Sequence, residues 1–191
     1  MKIVQRPLPY AERLQSRPLA QIELLVLHCT ELPDLAQARK YGEELHYPTS
    51  QTGNSGHYYV DRDGAVECWV MPDRIAHHVA GMNERSVGIE LVNHGRWPDW
   101  YHSAHQLPTE DYPEAQIDAL LALLAELERS LPALRWIAGH EDLDLRQIPA
   151  ADDPAIQIQR KIDPGPLFPW PRVAATELKR VKARGAGLEP Y

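Results

Sequence analysis

The sequence predicts a single-domain α/β fold, a mixed central β-sheet flanked by helices, and three observations carry that expectation. Strand-like and helix-like segments alternate along the chain, and one pair of strands is joined by a tight Asp-Gly turn. The length of 191 residues suffices for one full hydrophobic core but rarely for two. No internal repeat interrupts this pattern.

Residues 1–20 are proline-rich and aperiodic, and are expected to drape over the domain as an N-terminal extension. Glu23 to His28 is a short, nearly continuous apolar run, the pattern of a buried strand. Asp34 to Leu45 has helical spacing, with Leu35 and Ala38 on one face. Tyr47 to Gly56 reads as a loop rich in Thr, Ser, Gly and Asn. His57 to Val60 and Val66 to Val70 flank Asp61-Arg62-Asp63-Gly64 and form a hairpin. In Ser86 to Asn93 the alternation puts Val87, Ile89 and Leu91 on one face and Gly88, Glu90 and Val92 on the other. Gly95 to Tyr112 is a long loop bearing Trp, His and Pro. Pro113 to Leu131 is the clearest helix, with Ile117, Leu120, Leu121, Leu124 and Leu127 at amphipathic spacing and Pro132 stopping it. Arg135 to Ala138 is a short strand leading into His140, and Asp142 to Gln159 is a second long insertion. Pro171 opens a last helix to about Arg184, and residues 186–191 form a tail.

The net charge of −7 speaks against nucleic acid or an anionic membrane as partner. The basic run Lys179 to Arg184 reads as a solvated helix end. No apolar run approaches the ~20 residues of a membrane span, and no secretory signal is evident, so a cytoplasmic, monomeric protein is expected. Cys29 and Cys68 make no disulfide framework, and Cys29, beside His28 on a strand, faces the core.

The chemistry gathers around Arg160-Lys161-Ile162-Asp163-Pro164-Gly165-Pro166. A carboxylate followed by Pro-Gly-Pro sits on a stiff turn, because each proline fixes its own φ and restricts the residue before it. Lys161, two residues earlier, shares its face in an extended segment. His28 and His140 each close a short apolar run. Two imidazoles and one carboxylate at the ends of rigid elements make a plausible open zinc site with water as the fourth ligand.

The motifs His28-Cys29-Thr30, Ser55-Gly56-His57-Tyr58, His78-Val79-Ala80-Gly81-Met82-Asn83, Ser86 to Leu91, Gly139-His140-Glu141-Asp142 and Lys161 to Pro166 together resemble the zinc-dependent N-acetylmuramoyl-L-alanine amidases. The similarity is to the type-2 family, related to peptidoglycan-recognition proteins and phage T7-type lysozymes, and it runs in order from about residue 22 to 172. The resemblance implies a zinc amidase domain over residues 21–185 that cleaves the amide between the lactyl group of muramic acid and L-alanine. It implies zinc as cofactor on His28, His140 and Asp163, with Glu90 and Lys161 as catalytic residues. The lysozyme branch carries a tyrosine where this chain has Gly56, which leaves the proton-transfer role to Glu90.

His78 matches a histidine of the substrate-groove motif. His57 faces the groove or sits in the hairpin core, Asn83 fixes a turn or contacts peptide, and Trp97 and Trp100 form a sugar-stacking edge or anchor their loop. The His140–Asp163 spacing is longer than in the compact recycling amidases, and Leu167 to Trp170 with Asn93-His94-Gly95 is more like the broader-specificity branch. Soluble 1,6-anhydromuropeptides of cell-wall recycling are the expected substrate. Intact envelope peptidoglycan, or a non-catalytic peptidoglycan-binding module, are the alternatives. A peptidase acting within the stem peptide is disfavoured, since no His-Glu-x-x-His helix is present.

Overall fold

The computed structural model describes residues 1–174, 176–185 and 187–191. Its strands and helices run β1 (Ile3–Gln5), β2 (Leu24–Cys29), α1 (Leu35–Glu43), β3 (Tyr58–Val60), β4 (Val66–Cys68), β5 (Ser86–Leu91), α2 (Glu114–Ser130), β6 (Trp136–Gly139), α3 (His140–Leu143), β7 (Gln147–Pro149), β8 (Gln157–Gln159), α4 (Trp170–Val173), β9 (Lys179–Arg184) and β10 (Gly187–Pro190). Eight strands form one mixed sheet in the order β1-β4-β3-β5-β2-β6-β9-β10, while β7 and β8 pair separately. The single mixed sheet flanked by helices matches the expectation from sequence.

β2 lies near the middle of the sheet, parallel to both β5 and β6. All six of its residues are buried, as expected of a strand covered on both faces. Its odd-numbered residues Leu25, Leu27 and Cys29 join Val87, Ile89 and Leu91 of β5 in the main core. The apolar stripe of α2 packs onto that face through Ile117, Leu120, Leu123, Leu124 and Leu127. Leu123 takes the fully buried place expected of Leu121, which is only half-buried. The even-numbered residues of β2 face the other way, where Leu24 and Val26 meet Val79, Ala138 and Val181. His28 shares that second face by the pleat.

α1 starts where Asp34 accepts a hydrogen bond from the Gln37 backbone amide, the usual carboxylate N-cap. The hairpin forms at the expected turn, with Gly64 at φ +86°. Both cysteines are free and buried.

Three segments differ from the sequence reading. Residues 3–5, within the stretch expected to drape, add an edge strand parallel to β4, and Leu8, Tyr10, Ala11 and Leu14 are buried in a cluster with Tyr59, Trp69 and Val70. The insertion from Asp142 to Gln159 contains the antiparallel β7–β8 ribbon. The helix expected over 171–184, residue 175 lying outside the described residues, is a single turn at Trp170–Val173 followed by strand β9. β9 pairs in parallel with β6 and buries Val181 between Leu24, Val26 and Ala138. The open edge of β6 outweighs the helix preference of a Lys/Arg-rich run, since strand formation answers to neighbours more than to intrinsic propensity. The tail pairs on in turn as β10, residue 186 lying outside the described residues. Among the described residues no helix is long and apolar enough to cross a membrane.

Candidate metal centre and substrate groove

Parallel pairing of β2, β5 and β6 brings three sequence-distant residues to one end of the sheet. His28 is the register partner of Glu90. Leu27 pairs with Gly139, so His140, the first residue of α3, follows directly beside His28, with ring centroids 4.6 Å apart. Asp163 arrives on the Pro-Gly turn. The Glu141 amide donates to its backbone carbonyl at 2.9 Å, and the Tyr112 hydroxyl donates to the next carbonyl, Pro164 O, at 2.6 Å.

The Nδ1 atoms of His28 and His140 lie 3.0 and 3.2 Å from the same carboxylate oxygen, Asp163 Oδ2. All three side chains are buried, and one ligand atom from each lies within 4.8 Å of the others. Asp163 Oδ1 and His140 Nε2 are buried without any hydrogen-bond partner. Unpaired buried polar atoms of this kind are rare and call for a missing partner. Two imidazole Nδ1 atoms aimed at one carboxylate, whose other oxygen has no partner, fit a three-ligand zinc centre.

The cluster sits in a groove of about 580 Å³ whose wall also carries Glu90 and Lys161. Burial and then the nearby Asp163 push the Glu90 carboxyl up to about 8, against the opposing pull of Lys161. For Lys161, burial lowers the pKa, but Asp163, Glu31 and Glu90 outweigh it and hold the ammonium charged. Burial brings His28 down to about 4, which keeps the ring neutral and fit for ligation. Asp163 is held well below the usual carboxylate range, since His140 and Lys161 overcome the cost of its burial. Gly56 is required beside Glu90, because a Cβ there would stand 2.7 Å from Glu90 Cγ.

The remaining sequence candidates divide. His57 is fully buried; its Nδ1 accepts from the Gly88 amide at 3.0 Å and its Nε2 lies 3.0 Å from Arg74 O. It belongs to the hairpin core and offers no face to the groove. His78 lines the groove but has Nδ1 3.0 Å from His28 Nε2. Asn83 uses Oδ1 to accept the amides of His78 and Val79, so it fixes the turn. Trp97, 39% exposed beside His94, is not part of the groove wall, whereas Trp100 is.

Other wall residues escaped the sequence reading, among them Tyr41, Tyr47 and Tyr101. Glu31, at φ +50°, forms a bidentate pair with buried Arg96, whose guanidinium also donates to Gln106 Oε1 and to the carbonyls of Gln159 and Arg160. The one available signal was a charged pair, Glu31 and Arg96, each just beyond a buried strand.

Residues 18–166 match the family model described as N-acetylmuramoyl-L-alanine amidase. The N-acetylmuramoyl-L-alanine amidase AmiD of Escherichia coli is 37% identical over 116 residues, 58% of this chain and 36% of AmiD. The chain spans between 36% and 65% of the length of the curated relatives it matches, two of which are phage endolysins. Among solved structures, the amidase LysC from Clostridium intestinale superposes with a TM-score of 0.62 at 21% identity, covering 92% of this chain and 96% of that one. AmiD from E. coli, in complex with the substrate anhydro-N-acetylmuramic acid-L-Ala-D-gamma-Glu-L-Lys, superposes with a TM-score of 0.60 at 25% identity, covering 83% of this chain and 58% of that one. With more than half of its length inside the family model, the chain belongs to the N-acetylmuramoyl-L-alanine amidase family.

Proposed function

We propose that this chain hydrolyses the amide between the lactyl group of N-acetylmuramic acid and L-alanine, using zinc held by His28, His140 and Asp163. The carrying observation is the buried convergence of those three side chains on a groove whose wall also presents Glu90 and Lys161. When bound, zinc supplies Lewis acidity and a fixed positive charge at the reacting centre. Glu90 takes the proton of the attacking water on a carboxylate oxygen and passes it to the leaving nitrogen of L-alanine. That role needs an ionised Glu90, and positive charge at the ligand cluster, added to Lys161, offsets the repulsion from Asp163. Lys161 places its ammonium where the lactyl carbonyl oxygen gains negative charge. The complete set of five residues favours an enzyme over a binding module built on the same fold.

The substrate we assign is the soluble 1,6-anhydromuropeptide of cell-wall recycling, in a cytoplasmic setting. The anhydromuropeptide named with the AmiD structure supports this choice, while likeness to endolysins favours intact peptidoglycan.

Metal analysis should find about one zinc per chain, and chelation should abolish an activity that added zinc restores. An active preparation free of zinc overturns the metal assignment. Mass spectra of products should show cleavage at the lactyl amide, faster on anhydromuropeptides than on sacculi at equal concentration. Equal or faster release of stem peptides from sacculi overturns the recycling assignment and favours an envelope or lytic role.

A further inference from the structure

A chain of hydrogen bonds leads away from the metal centre through His78, and its far end fixes its direction. Met82 O is a carbonyl and can only accept. Ser86 Oγ lies 2.7 Å from it and so spends its one proton there. The same hydroxyl oxygen is 3.2 Å from His78 Nε2, and having no second proton it must accept from that nitrogen. A neutral His78 with its proton on Nε2 has a bare Nδ1, which lies 3.0 Å from His28 Nε2. His28 Nε2 must then be the donor, and a neutral His28 is left with its lone pair on Nδ1. That lone pair points at Asp163 Oδ2, 3.0 Å away, an atom that can also only accept when ionised. Two acceptors at that distance repel unless a proton or a metal cation lies between them, and the family's ligand set points to the metal.

The local backbone is built to hold this arrangement. Asn83 Oδ1 takes the amides of His78 and Val79 at 3.0 and 2.9 Å. The His78 ring rests on the bare Cα of Gly88, where a Cβ would stand 2.7 Å from ring atoms Cγ and Nδ1. Ser86, Gly88 and Glu90 alternate along one face of β5, opposite Leu24, Val26 and His28 of β2. One strand face thus supplies the proton acceptor, the shelf for the ring and the catalytic carboxylate.

We propose that His78 is a positioning residue for the metal centre: held by Ser86, Gly88 and Asn83, it accepts the Nε2 proton of His28 and presents His28 Nδ1 to the metal as a lone pair. The proposal rests on the zinc reading above and replaces the substrate-contact role that the sequence suggests for His78. Partners of this kind orient a ligating imidazole and typically contribute about 10–100-fold in metal affinity.

The test compares wild type with His78→Phe, His78→Asn, Ser86→Ala and Gly88→Ala, measuring zinc affinity by competition with a chromophoric chelator alongside steady-state kinetics on a muropeptide. His78→Phe keeps the ring volume and loses the acceptor, and should weaken zinc binding by about 10–100-fold. It should lower kcat at limiting zinc while KM stays near the wild-type value. His78→Asn offers a side-chain oxygen in place of Nδ1 and should recover part of the affinity. Ser86→Ala and Gly88→Ala should shift affinity in the same direction as His78→Phe, and melting curves of the zinc-free variants separate this from failure to fold. Nitrogen NMR of the zinc-loaded wild type should find His28 and His78 both protonated at Nε2. Wild-type protein that takes up no zinc overturns the metal reading itself, and this proposal with it. If wild type binds zinc but His78→Phe binds it equally tightly and only raises KM, zinc remains and the positioning role falls. A proton on His78 Nδ1 in the zinc-loaded protein overturns it as well.

Discussion

At the level of single residues, Glu90 and Lys161 share one groove and both lean toward the protonated form: burial and then Asp163 raise the Glu90 carboxyl, and Asp163, with Glu31 and Glu90, outweighs burial to keep Lys161 charged. Glu90→Gln keeps the shape and removes the proton acceptor. Turnover should fall by about 10²-fold or more, in the range of a removed general base, while bound zinc measured by elemental analysis is unchanged. Loss of zinc in that variant, or near-normal turnover, would remove Glu90 from the role. Lys161→Ala should lower kcat more than it raises KM, because its contact strengthens only as the oxyanion forms, and steady-state kinetics resolve the two. Gly56→Ala forces a methyl group against Glu90 Cγ at 2.7 Å; its expected signature is lost kcat with zinc retained, and full activity would show that Glu90 has room to spare. The clustering of His28, His140 and Asp163 was legible in sequence because each sits at the end of an element whose type could be read: an apolar strand for His28 and His140, a proline turn for Asp163. His57 and Trp97 were not. Whether a histidine at a strand mouth turns inward, and which tryptophan of an aperiodic loop faces a groove, depend on neighbours far away in the chain, here Arg74 and Gly88 for His57 and Glu31 for Trp100.

At the level of elements, the loops around the groove are tied by buried charge. Arg96 joins the segment after β2, through Glu31, to the carbonyls just ahead of Lys161. The two side chains are 1% and 9% exposed, so losing one partner strands the other without water. Arg96→Met should cost about 3–5 kcal/mol in urea unfolding, the range for a broken buried pair. A cost under about 1 kcal/mol, the range of surface pairs, would mean that water reaches Glu31 in the native state. The central strands and α2 were legible because continuous burial and helical spacing are strong patterns. The segment 179–184 was misread because its alternation carries one buried apolar residue, Val181, and its place was decided by the unpaired edge of β6.

For the molecule as a whole, stability toward acid should depend in part on Glu110, which fastens the loop after β5 to the hairpin turn. Burial alone would raise its carboxyl, but hydrogen bonds from Arg62 and His94 outweigh this and bring it from 4.5 down to about 2. A depressed folded-state pKa contributes stability that is present above about 4.5 and is lost as pH falls toward about 2. Glu110→Gln should therefore unfold at lower urea concentration than wild type near neutrality, with the gap closing as the pH drops through that window. A gap that stays constant with pH would assign the difference to shape and not to charge. The parallel register of β2 against β5 has a consequence for how such a protein can diversify. Because His28 and Glu90 are register partners, the spacing of the proposed metal ligand and the proposed base is inherited from the inter-strand distance of about 4.8 Å common to all sheets. The aromatic wall of the groove, by contrast, comes from α1 and the flanking loops through Tyr41, Tyr47, Trp100 and Tyr101. Under the proposed function, reaction and recognition are thus written on separable parts of the chain, and exchange of loop sequence would retune which ligand enters the groove while the His28–Glu90 spacing stays where the sheet sets it.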